Sequence, residues 1–267
     1  MNLSRIYVRL SKTLLGLICL LLFSFPALAQ DQAPKHLIRV AAAADLKFAL
    51  DEIVTLFQQA NPGGEVEVIY GSSGKFYAQI QQGAPFDLFF SADLAYPNDL
   101  VAKGLAASPV QLYGVGRIVL WSNQLDASKM TLKSLVDPKL TRVAIANPQH
   151  APYGKRAEEA LRAAGWWDKV NPKLVFGENI AHTAQYVQTG NAQVGVIALS
   201  LALSPELSKL GGYWLIPNNL HQPLEQGFII TQRAKNNAAA KRFADFQRSP
   251  AARGLMKQSG FVLPNEL

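Results

Sequence analysis

Short apolar runs recur along the chain at Leu37–Ala43, Val66–Tyr70, Leu88–Ser91, Ile118–Trp121, Val143–Ala146, Val194–Ala198 and Phe228–Thr231. Each has the length of a buried strand and is bounded by polar or glycine-containing segments. Segments with helical spacing of apolar residues alternate with them: Leu46–Ala60, Phe76–Gln82, Leu94–Lys103, Lys155–Ala164, Thr183–Thr189 and Ala238–Gln247. In the first, Leu46, Ala49, Leu50, Ile53, Val54 and Phe57 share one face, and Asn61-Pro62-Gly63-Gly64 ends the pattern. This alternation predicts an α/β chain whose mostly parallel sheets are covered by helices on both faces.

Two glycine-bearing segments, Tyr113-Gly114-Val115-Gly116 and Glu225-Gln226-Gly227, lead into β-rich runs. Glycine tolerates the dihedral changes of a hinge, so both read as interdomain crossings. Residues 30–113 plus 228–267 would then form one domain and 114–227 the other, with a cleft between them. The competing reading is that these glycines only relieve crowding within strands.

The ends and the composition narrow the setting. Arg5, Arg9 and Lys12 precede the apolar run Leu14–Phe25, and Ala27-Leu28-Ala29 places small residues two apart. That is the pattern of a secretory signal peptide over residues 1–29, cleaved after Ala29, and it predicts a soluble periplasmic protein. The single cysteine, Cys19, leaves with the signal, so the mature chain holds itself by its core alone. Three of the cations behind the +7 net charge leave as well. Those that remain are scattered, without the clustering or aromatic interleaving of a nucleic-acid face.

Four strand-to-helix turns carry the candidate chemistry. Gly71-Ser72-Ser73-Gly74 joins a strand to a helix, where unpaired N–H groups and the helix dipole attract anions; the bland alternative is an ordinary N-cap and turn. Ala41-Ala42-Ala43-Ala44-Asp45 runs into the next predicted helix, and small side chains there let a ligand approach the backbone. Open α/β sheets bind ligands at the carboxyl ends of their strands. The Asp45 side chain either caps its helix, as cap preferences favour, or faces a ligand. In the second case it repels an ionised anion and accepts a hydrogen bond from a protonated one. Asn147-Pro148-Gln149-His150-Ala151-Pro152-Tyr153-Gly154 supplies Tyr153, read either as packing or as a phenolic donor. Gly177-Glu178-Asn179-Ile180 opens the fourth helix.

These segments, together with Gly83-Ala84-Pro85-Phe86-Asp87-Leu88-Phe89-Phe90-Ser91-Ala92-Asp93 and Gly260-Phe261, resemble the periplasmic molybdate-binding proteins of ABC transporters. The resemblance covers nearly the whole mature chain, and the Gly83–Asp93 run is its most specific part. It implies a two-domain periplasmic-binding-protein clamp with two interdomain crossings, molybdate or tungstate as ligand, an ABC transporter permease as partner, a monomer, no cofactor and no enzymatic activity. Carried over residue by residue, it implies ligand contacts from Asp45, Ser73, Tyr153 and Ile180. Two positions depart from the family pattern. Asp45 stands where a serine is expected, and Ala198 stands where some members have a tyrosine, a loss that Tyr153 could compensate. Asp45 puts the identity of the anion in doubt and leaves a phosphate or sulfate receptor as the alternative.

Other readings are weaker. Ser72-Ser73-Gly74-Lys75 spells the Ser-x-x-Lys of acyl enzymes, but the companion motifs are absent. His36, His150, His182 and His221 lack metal-ligand spacing. Trp166-Trp167 reads as a buried helix-end anchor rather than a stacking platform.

Overall fold

Side chains alternate along the first strand, and that alternation sets the layering. In the computed structural model, which describes residues 36–266, β1 (His36–Ala43) sends Ile38, Val40 and Ala42 into one cluster and Ala41 into another. The first cluster is closed by α1 (Lys47–Ala60), whose buried face is the predicted Ala49, Leu50, Ile53, Val54 and Phe57. The chain continues through β2 (Gly64–Gly71), α2 (Ser73–Gln81), β3 (Leu88–Ser91), α3 (Ala95–Ala102) and β4 (Gln111–Gly116). Phe76 and Ile80 of α2 and Leu100 of α3 cover Phe89 and Ala41 on the opposite face. Helices therefore sandwich this sheet, as the apolar pattern predicts.

A second sheet begins at β5 (Ile118–Ser122) and continues with β6 (Val143–Ala146), α4 (Pro152–Ala163), α5 (Trp167–Val170) and β7 (Leu174–Gly177). Next come α6 (Ile180–Gln188), β8 (Val194–Ala198), α7 (Leu199–Ala202), α8 (Leu207–Leu210) and β9 (Gly212–Leu215). The chain then returns to the first sheet with β10 (Leu224–Ile230) and ends in α9 (Ala238–Phe246) and α10 (Pro250–Gln258). The strand orders are β2-β1-β3-β10-β4 and β7-β6-β8-β5-β9. In each sheet only one strand, β10 or β5, runs against the other four. Each sheet is thus mostly parallel, and together they form a two-lobed α/β clamp. The boundary residues 114 and 228 both fall inside paired strands, because β4 and β10 pair with Gln226 opposite Gly114.

The differences from the sequence expectation fall at sheet edges and helix starts. β4, β7 and β9 have no uninterrupted buried apolar run: β9 alternates half-buried and exposed residues, and β4 carries the Gly114 and Gly116 read as a hinge. α4 starts at Pro152 rather than Lys155, since proline at the first helical position loses no hydrogen bond. α10 went unpredicted, its buried face being only Ala252 and Met256.

Phe57 is 1% exposed and packs edge-on against Phe243, with ring centroids 5.0 Å apart. Phe57→Ala should therefore cost about 3–5 kcal/mol in urea denaturation; an unchanged midpoint would contradict this view of the core.

Candidate functional site

Strand register brings the four turns together. Ala43 of β1 pairs with Gly71 of β2, so the turns leading into α1 and α2 emerge side by side. In the other sheet Ala146 of β6 pairs with Gly177 of β7, which does the same for the turns before α4 and α6. The result is a single cavity of about 10 Å³ lined by Asp45, Ser73, Tyr153 and Ile180, with Ala43 and Ala92 in its walls. That is far below the roughly 300–1,000 Å³ of sites for drug-sized molecules. Ser73 and Ile180 open their helices and Tyr153 is one residue inside α4, so their N–H groups precede the first intrahelical acceptors.

Asp45 does not cap a helix. It sits within the short 3-10 turn Ala44–Leu46, whose N-cap is Ala43, and no side chain caps that turn or α1. The carboxylate instead turns into the protein at 1% exposure. Its Oδ2 accepts from the Tyr153 hydroxyl at 2.8 Å and from Gln226 Nε2 at 2.9 Å. Gln226 Nε2 also lies 3.0 Å from the Tyr153 oxygen, and Gln226 Oε1 accepts from Tyr113 at 2.7 Å. Oδ1 is buried and has no partner. Burial pushes the carboxyl from 3.8 up to about 6, and the Gln226 and Tyr153 hydrogen bonds offset part of that rise.

Ser73 is fully buried, and its Oγ accepts the Ala92 N–H at 3.0 Å. With that lone pair occupied, the hydroxyl proton remains available for donation. Ser72 is the N-cap of α2, but its side chain makes no capping bond and meets His150 Nδ1 at 3.0 Å. Around the rim, Gly74 N donates to the His150 carbonyl at 3.0 Å, Lys75 pairs with Glu178 at 3.0 Å and Arg156 lies 3.6 Å from Asp93. These contacts join the two lobes across the cleft.

Sequence reasoning missed Gln226, Tyr113 and Ser200, whose hydroxyl donates to the Asp45 carbonyl at 2.8 Å. The signal for Gln226 was its period-two spacing from buried Leu224, which points it inward. Ala198 is buried outside the cavity lining, as the N-cap of α7. Tyr153 does not replace a lost ligand donor in this arrangement, because its proton goes to Asp45. Trp166 and Trp167 are half-buried rather than buried, with Lys169 and Arg162 over their rings. Lys75 serves Glu178 and the Ser72 hydroxyl serves His150, so the Ser-x-x-Lys pair does not act as a unit. The described residues hold no cluster of metal-ligating side chains.

Residues 38–262 match the model of the bacterial extracellular solute-binding proteins. The chain is 37% identical over 224 residues to the molybdate-binding protein ModA of Rhodobacter capsulatus, covering 83% of this chain and 86% of the relative. It is 35% identical over 230 residues to ModA of Azotobacter vinelandii, covering 85% and 90%. Among solved structures, the periplasmic molybdate-binding protein of Azotobacter vinelandii superposes with a TM-score of 0.80 at 31% identity, over 85% of this chain and 99% of that one. The sulfate-binding protein SubI of Mycobacterium tuberculosis, at 15% identity and a TM-score of 0.74, covers 86% and 87% and shares the fold.

Because the raised Asp45 pKa makes the folded chain bind more protons than the unfolded chain between about pH 4 and 6, stability falls as pH rises through that window. A shift of about two units corresponds to roughly 3 kcal/mol, fully present as a penalty above the folded value. Asp45→Asn should then be more stable than the parent by up to roughly 3 kcal/mol at pH 7.5, with the difference vanishing near pH 4. Urea denaturation at the two pH values checks this, and an equal difference at both would contradict it.

Proposed function

The chain belongs to the family of bacterial extracellular solute-binding proteins, and on that premise we propose that it captures molybdate between its lobes for delivery to an ABC importer. The observation that carries this reading is the convergence of helix-start amides and the Ser73 hydroxyl on one small cavity. The N-terminal dipoles there favour negative charge without a lysine or arginine, and the cavity, about 10 Å³, widens as the lobes part to admit the ion. Asp45, Ser73, Tyr153 and Ile180 are the proposed contacts.

Hydrogen bonds to a charged acceptor contribute about 1.5–3 kcal/mol each. Each such bond is therefore worth about one to two powers of ten in affinity. Tungstate has the same charge and tetrahedral shape and is proposed to bind comparably. Sulfate is smaller, so donors set for the larger ion reach it poorly. One observation favours a second reading: the unpartnered Asp45 Oδ1 suits a protonated oxyanion such as phosphate.

In the proposed cycle the lobes part about the paired crossings at Tyr113–Gly116 and Glu225–Gly227, breaking the Tyr153–Asp45 bond and the rim contacts. The receptor acts as a monomer after cleavage behind Ala29, presenting both lobes to the permease.

Calorimetric titration of refolded, anion-free protein should give tight binding of molybdate and tungstate and weak or absent binding of sulfate and phosphate. Tight phosphate binding that is lost in Asp45→Asn would sink the molybdate reading in favour of the second. Ser73→Ala should weaken molybdate binding by about 1–3 kcal/mol; an unchanged affinity would reduce Ser73 to an anchor for Ala92.

A further inference from the structure

The cavity holds an apparent contradiction: a carboxylate among the groups meant to receive a dianion. Asp45 Oδ2 is fully engaged by Tyr153 and Gln226, whereas Oδ1 is buried without a partner in a residue that lines the cavity. We propose that oxyanion binding takes up one proton from solution, held between Asp45 Oδ1 and an oxygen of the ligand. This rests on the reading of the cavity as an oxyanion site.

Among the described residues, no cation pairs with Asp45. From α4 it faces Tyr153 and from β4 Tyr113, two phenols whose own ionisation is pushed upward by burial and by Asp45 itself. β10 contributes Gln226, α7 contributes Ser200 to the Asp45 carbonyl, and α2 and α6 bring Ser73 and Ile180 to the same cavity. The charged residues on these elements point elsewhere: Arg156 pairs with Glu159 and Asp93, Arg162 with Glu158, Lys75 with Glu178 and Lys47 of α1 with Asp51, while Lys155 of α4 and Glu225 of β10 are exposed. An ionised Oδ1 beside a dianion would meet strong repulsion in a water-poor site. A protonated Oδ1 becomes one more donor in a cavity built of donors.

The free carboxyl, already raised to about 6 by burial, makes that proton accessible near neutrality. His150, hydrogen-bonded to Ser72 at the rim, is a second ionisable group close by, and burial and the neighbouring Lys75 lower its pKa.

The test is calorimetric titration with sodium molybdate at pH 7.5 in two buffers of very different ionisation enthalpy. The difference in observed heat should correspond to about one proton taken up per ion bound, and affinity should rise about tenfold per unit of falling pH between 8 and 7. Uptake should vanish in Asp45→Asn and persist in His150→Gln. Tight binding with no buffer dependence overturns the inference while leaving the oxyanion site standing, as does uptake lost only in His150→Gln. Failure of the parent protein to bind molybdate, tungstate, sulfate or phosphate overturns the site itself and the inference with it. The parent protein alone answers the question if Asp45→Asn does not fold.

Discussion

The arrangement of this protein depends on one buried carboxylate oxygen. Asp45 Oδ2 accepts from Tyr153, which belongs to the helix after β6 of the second sheet, and from Gln226 on β10 of the first. Burying a carboxylate is costly and its hydrogen bonds offset part of that cost, so the two donors on Oδ2 tie elements of the two lobes together while Oδ1 stays unmet. The adjoining backbone conforms to it. A Cβ on Gly116 would run into the Tyr153 hydroxyl and Gln226 Nε2, so glycine lets that pair lie against the strand. Tyr113 completes the cluster through Gln226, and the paired strands β4 and β10 thereby join the same hydrogen-bonded unit as the cavity.

The rim contacts are of a different kind. Lys75 and Glu178 keep 50% and 34% of their side-chain surface, a setting in which an ion pair contributes about 0–1 kcal/mol. The His150 contacts with Ser72 and Gly74 add directional but modest hydrogen bonds. The exposed rim pair thus contributes less than the buried cluster at the centre, where Asp45 and the helix starts meet, and the better-buried Arg156–Asp93 contact, at 3.6 Å, lies between the two.

Much of this was legible in the sequence wherever a local pattern coincided with a structural role. The helical spacing of Leu46–Ala60 foretold the buried face of α1, and the glycine and small-residue turns foretold which strand ends line the cavity. The Gly83–Asp93 run, the most specific part of the family resemblance, proves to be a brace. Asp87 Oδ2 accepts the Arg39 N–H at 2.8 Å, and Ala92 N holds the Ser73 hydroxyl. What stayed hidden was long-range. Asp45 and Gln226 are 181 residues apart, and no local preference could reveal that their side chains meet. Cap statistics pointed Asp45 at its own helix, but tertiary partners outweighed the cap, as they commonly do for a single residue. Edge strands β7 and β9 escaped notice although Leu174-Val175-Phe176 and Tyr213-Trp214-Leu215 are apolar, because runs that short do not separate a strand from a loop or helix segment by periodicity.

The central claim is that the four turns surround one oxyanion. Crystals grown with molybdate and measured on both sides of the molybdenum absorption edge locate the metal without reference to any assumed site. One strong anomalous peak is expected within hydrogen-bonding reach, through its oxygens, of the Ser73 hydroxyl and the Tyr153 and Ile180 amides, with Asp45 beside it. A peak elsewhere on the molecule, or none at saturating molybdate, would contradict it.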